Sequence, residues 1–81
     1  MNRHFVIHTV PNCPWCSLVR HEIRKRMFSF EMHPHNDEAE RAEFKTRYGV
    51  TTFPQVFVAE DGEWKRIGGY EETKAYLEAL T

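Results

Sequence analysis

Apolar and polar residues alternate from Arg3 to Thr9, with Phe5, Ile7 and Thr9 on one side and His4, Val6 and His8 on the other. A period of two predicts a strand. Pro11 and Asn12 interrupt it as a loop, and from Pro14 onward Cys16, Val19, Ile23 and Met27 recur at helical spacing. Proline suits the first helical turn, where a missing N–H costs nothing, so Cys13 and Cys16 open this helix. Ser29 to Met32 predicts a second strand, and Pro34 fits a strand end or a sheet edge because proline cannot donate to a ladder. Asn36 or Asp37 then caps a second helix, which places Ala42, Phe44 and Tyr48 among charged residues and stops at Gly49, the residue type favoured in a left-handed cap. The charged face of that helix is expected to be solvated. Pro54 to Ala59 predicts a third strand, Glu60-Asp61-Gly62 a reversal, and Trp64 to Ile67 a fourth strand. Gly68-Gly69 breaks the hairpin, and Thr73, Tyr76, Leu77 and Leu80 form the apolar stripe of a last helix.

The order β-α-β-α-β-β-α fits one α/β domain over residues 1–81, since 81 residues support a single compact core. Six Phe, three Tyr and two Trp are enough to close that core without a metal or a disulfide framework, and a monomer is expected. The formal charge is -1 with no long block of either sign, which gives nucleic-acid binding no support. The opening MNRHFVIHTV lacks the apolar run of a signal peptide, and no stretch approaches the roughly 18 apolar residues of a membrane span. A cytoplasmic location away from membranes is the expectation.

Two cysteines are too few for the multi-bridge framework of a small secreted domain. A CxxC pair at a helix start is instead a redox device. The first sulfur meets unpaired backbone N–H groups and the positive end of the helix dipole, which favour thiolate. Cys13 is therefore the expected nucleophile and Cys16 the resolving thiol, close enough to attack a mixed disulfide. Zinc also uses CxxC, but the nearest further ligands, His33-x-His35, are spaced too tightly for the usual histidine pair, so no metal is expected. The bland alternative is a structural disulfide or two inert core cysteines. Against it, Pro14 and Trp15 between them read as a helix start held at the surface.

CPWC, then TTFPQVF, then IGGYEE, in this order and at these separations, resemble the glutaredoxin family over the whole chain. Thioredoxins, with CGPC in a longer chain, resemble it less. The resemblance implies a thioredoxin-like fold, a four-stranded mixed sheet with three helices. It also implies a glutathione-dependent oxidoreductase that reduces protein disulfides and glutathione mixed disulfides, with glutathione as co-substrate and no bound cofactor. On the same ground Phe53-Pro54 is expected to carry a cis peptide bond, leaving the Phe53 backbone to pair with the cysteine of glutathione. Proline is where a cis bond costs little, and a trans proline at an edge strand is the alternative. The N–H groups of Tyr70 and Glu71 are implied to bind the γ-glutamyl carboxylate. Glu72 matches a position that holds the γ-glutamyl ammonium, although an acid in a first helical turn also has a dipole reason to be there. Arg41 matches a group that reaches the glycyl carboxylate, and Trp15 replaces the more usual Tyr as a groove wall.

Two positions depart from the family pattern. His8 stands where an aromatic residue is usual and is expected to be a strand histidine satisfied by its neighbours. Val10 stands where a lysine usually binds the glycyl carboxylate and supports the thiolate. Val10 keeps a second reading open, an electron donor recharged by thioredoxin reductase, with ribonucleotide reductase as an example of a partner. An iron-sulfur carrier is a third reading, disfavoured because cluster-binding relatives generally have a smaller residue where Pro14 stiffens the helix start.

Overall fold

The structure, a computed structural model, describes residues 3–80. The elements are β1 (Arg3–Thr9), α1 (Pro14–Lys25), β2 (Ser29–Pro34), α2 (Glu38–Tyr48), β3 (Gln55–Glu60), β4 (Glu63–Gly68) and α3 (Tyr70–Glu78). They build a four-stranded sheet in the order β2-β1-β3-β4, with β1 parallel to β2 and antiparallel to β3, and β4 antiparallel to β3. This is the mixed sheet with three helices of the thioredoxin-like fold. No helix among the described residues is long and apolar enough to cross a membrane.

Alternation in β1 places Phe5 and Ile7 on one face, where both are fully buried against Val19 and Ile23 of α1, Val56 and Val58 of β3 and Leu77 of α3. Burying these side chains on one side of the sheet is the main force holding α1 and α3 to it. The hairpin turns through Asp61 (φ 53°) and Gly62 (φ 84°), a two-residue loop with both central residues left-handed, as the twist of the flanking strands requires. Asp37 rather than Asn36 caps α2, its side chain accepting from the Ala39 N–H, and Gly49 closes that helix at φ 65°. The second strand extends two residues past Met32, because its pairing with β1 continues to Thr9 opposite Pro34.

Met27 does not continue the apolar stripe of α1. The helix ends at Lys25, and Met27 sits outside it at φ 65° with 90% of its surface exposed. The Phe28 N–H donates to the Ile23 carbonyl at 3.4 Å and the Met27 N–H to the Arg24 carbonyl at 2.9 Å, the paired bonds of a Schellman motif. The reversal returns Phe28 to pack on Phe5, ring centroids 5.4 Å apart. Packing of Phe28 thus outweighs continued helix, and Met27 occupies the left-handed position that glycine usually takes.

The opposite face of the sheet is covered by α2 through one aromatic cluster. Phe44, the one buried residue of α2, meets His8 (4.7 Å), His35 (4.8 Å), Tyr48 (4.8 Å) and Phe53 (5.3 Å). Ala42 and Tyr48, the other apolar positions named for this helix, are exposed. His8 is satisfied as expected: its Nδ1 lies 2.8 Å from His35 Nε2. Burial, then the neighbouring imidazoles of His35 and His33, pushes the His8 pKa down to about 4.

Candidate active site

The loop after β1 passes through Asn12 in the left-handed region (φ 56°), a conformation that asparagine tolerates, and delivers Cys13 to the N-cap of α1. The sulfur occupies the place where a serine or aspartate oxygen usually sits: the Cys16 N–H donates to Cys13 Sγ at 3.2 Å. Pro14 fills the first helical position, and the first turn holds no acidic residue that would oppose a negative sulfur. Cys13 and Cys16 are joined as a disulfide, with Cα atoms 5.3 Å apart. Cys16 is buried at 4% exposure, whereas Cys13 is only partly covered, so an incoming thiol reaches Cys13 first. The inert-core alternative therefore does not describe Cys13.

Phe53-Pro54 is cis, and the Phe53 carbonyl oxygen lies 4.0 Å from Cys13 Sγ. Phe53 of this peptide borders two grooves. One, about 280 Å³, is lined by Trp15, Thr52, Phe53, Pro54, Gly69 and the first turn of α3, Tyr70 to Glu72. Trp15 is 54% exposed and leans on Tyr70, ring centroids 5.4 Å apart, forming its outer wall. The N–H groups of Tyr70 and Glu71 lie in the first helical turn and have no intrahelical acceptor. One oxygen of Glu72 accepts from the Gly69 N–H at 3.0 Å. Glu72 is thus a helix cap whatever else it binds, with acceptor capacity left over.

The second groove, about 500 Å³, is lined by Val10, Pro11, Arg41, Lys45, Thr51, Thr52 and Phe53. Arg41 donates to the His35 carbonyl at 3.0 Å, which orients it toward this side of α2. So Trp15, Phe53, Pro54, Tyr70, Glu71 and Glu72 come together around one groove, and Arg41 belongs to its neighbour across Phe53. Part of the charged face of α2 is therefore not simply solvated. Thr52, which borders both grooves, and Lys45, one turn beyond Arg41, were not singled out by the sequence. The i,i+4 spacing of Arg41 and Lys45 was the available signal.

A helix-capping cysteine joined to a buried partner, beside a cis-proline loop on a thioredoxin-like fold, defines a thiol-disulfide redox centre. A model of the glutaredoxin family matches residues 5–63, and the chain belongs to that family. A search of curated protein sequences finds no significant match. Among solved structures, the chain is similar to glutaredoxin 1 from Francisella tularensis in complex with cacodylate, at 26% identity and a TM-score of 0.81, covering 96% of this chain and 95% of that one. It is also similar to a glutaredoxin from Brucella melitensis, at 26% identity and a TM-score of 0.74, covering 94% and 79% respectively. The fold is shared with the glutaredoxin-like NrdH-redoxin from Escherichia coli, at 24% identity and a TM-score of 0.71, covering 96% and 95%.

Proposed function

We propose that this glutaredoxin uses glutathione as its reductant and returns protein disulfides and glutathione mixed disulfides to thiols. The observation that carries this reading is the opposite polarity of the two grooves that meet at Phe53 beside Cys13. One is bounded by the first turn of α3 with Glu71 and Glu72, the other by Arg41 of α2. Glutathione has a zwitterionic γ-glutamyl end and an anionic glycyl end, with its thiol between them, and its polarity matches the pair of grooves. The free N–H groups of Tyr70 and Glu71 suit the γ-glutamyl carboxylate, Glu72 its ammonium, and Arg41 the glycyl carboxylate.

Starting from the disulfide, a glutathione thiolate attacks Cys13 Sγ. The Cys13–Cys16 bond breaks and its electron pair leaves on Cys16, which takes up a proton. A second glutathione thiolate attacks the sulfur of the first, the electron pair returns to Cys13, and glutathione disulfide departs. Two glutathiones are oxidised and one protein disulfide is reduced. In the working direction the Cys13 thiolate, favoured by the Cys16 N–H and the helix N-terminus, attacks a target disulfide. Cys16 or another glutathione then releases the product.

The test is turnover of a small glutathione mixed disulfide coupled to glutathione reductase, compared with thioredoxin reductase as the electron source. Saturable turnover in glutathione is expected. Turnover with thioredoxin reductase alone would replace this reading by the reductase-fed donor, which Val10 favours by removing a cation from the loop before Cys13.

A further inference from the structure

The groove between the β1–α1 loop and α2 has two cations and no acidic residue in its lining. One of them, Lys45, is only partly exposed, with its Nζ 5.9 Å from the centre of the Phe53 ring. Lys45 forms no ion pair among the described residues, unlike Lys25 and Lys65, which sit 3.2 and 3.3 Å from Glu22 and Glu60. A lysine held against an aromatic ring without a counter-ion keeps its charge available to an anion entering the groove. A last-turn lysine also complements the helix dipole, but Arg47 in the same turn does so without lining the groove. Arg41 and Lys45 are one helical turn apart, on one face, and line the groove together with Phe53 and Val10.

We propose that Lys45 is a second, specificity-determining cation for the glycyl carboxylate of glutathione, supplying from α2, beside Arg41, the charge that Val10 does not supply. The assignment rests on the glutathione reading above. It separates two tasks that a lysine at position 10 would combine. Carboxylate binding moves to α2, and stabilisation of the Cys13 thiolate is left to the Cys16 N–H and the helix N-terminus. Loss of Lys45 should therefore weaken glutathione binding without changing the acidity of Cys13.

The experiment uses Lys45→Met, which keeps an unbranched stem over Phe53, with Lys45→Arg as the conservative control. Michaelis constants are measured for glutathione and for glutathione esterified at the glycyl carboxylate, and the alkylation rate of reduced Cys13 is followed against pH. In Lys45→Met the Michaelis constant for glutathione should rise roughly two- to fivefold, the worth of a partly screened ion pair, and the rise should shrink at high salt. The constant for the ester, the turnover number and the alkylation profile should match wild type, and Lys45→Arg should behave as wild type with both substrates. Equal rises for glutathione and its ester would reduce Lys45 to a packing role, and no rise for either would overturn the assignment. If the wild type itself does not saturate in glutathione, the functional reading falls and this proposal with it. A saturating wild type with an indifferent Lys45→Met refutes this proposal alone.

Discussion

Replacing His8 by phenylalanine should remove a defined part of the acid sensitivity of this protein. The ring of His8 packs among Phe44, Phe57, His33 and His35, and its Nδ1 lies 2.8 Å from His35 Nε2, a contact that needs one donor and one acceptor nitrogen. Burial first, then the two neighbouring imidazoles, lowers its pKa from 6.5 to about 4. Well above pH 6.5 both folded and unfolded chains hold His8 neutral, and it contributes no pH dependence. Between 6.5 and 4 the unfolded chain binds a proton that the folded one refuses, so stability falls as the solution is acidified. The full shift would correspond to about 3 kcal/mol at 1.36 kcal/mol per unit. Because the ring is partly exposed and screened by solvent, about 1 to 2 kcal/mol is the expected loss. Urea unfolding of the oxidised protein, followed by tryptophan fluorescence at pH 7.5 and pH 4.5, measures this for both chains. The wild type should lose about 1 to 2 kcal/mol more than His8→Phe across this interval. Removing the imidazole also unpairs His35 Nε2 at every pH, so the difference between the two pH dependences, and not the absolute stability, carries the test. Glu22, Glu31 and Glu60, whose pKa values are all lowered by their cationic and hydrogen-bonding partners, are common to both chains and cancel. Equal acid losses in the two proteins would refute the reasoning.

Cys13→Ser should abolish all turnover, whereas Cys16→Ser should still remove glutathione from mixed disulfides while losing most reduction of protein disulfides; equal inactivation on both substrates would show that the roles are not divided. Met27→Gly should raise stability by about 0.5 to 1 kcal/mol, the left-handed penalty of a side chain less the extra unfolded-state freedom of glycine, read as a higher melting temperature. Thr73 is fully buried, and its hydroxyl has no hydrogen-bond partner among the described residues. Thr73→Val keeps the branched shape and should stabilise by about 1 kcal/mol in urea titrations, with a destabilised variant showing that the hydroxyl is bonded after all.

Much of the redox centre is written in neighbouring residues. A cysteine before proline at the start of an apolar stripe meets the unpaired N–H groups that every helix start presents, and no distant contact is needed to predict which cysteine is the nucleophile. The reversal at Asp61-Gly62, the stop at Gly49 and the faces of β1 follow from equally local rules, since backbone freedom and a period of two are properties of the segment itself. Met27 lies beyond such rules: its spacing continues a helix, and only the packing of Phe28 on Phe5 makes reversal the better outcome. The same holds for His8, whose depressed pKa arises from rings contributed by β2, the segment after it, α2 and β3. Lys45 reads in sequence as one more charge on a solvated face. Its place beside Phe53 and Val10, and so across from the disulfide loop, is decided by how the aromatic cluster seats α2 on the sheet, because a helix's period specifies its faces but not what they meet.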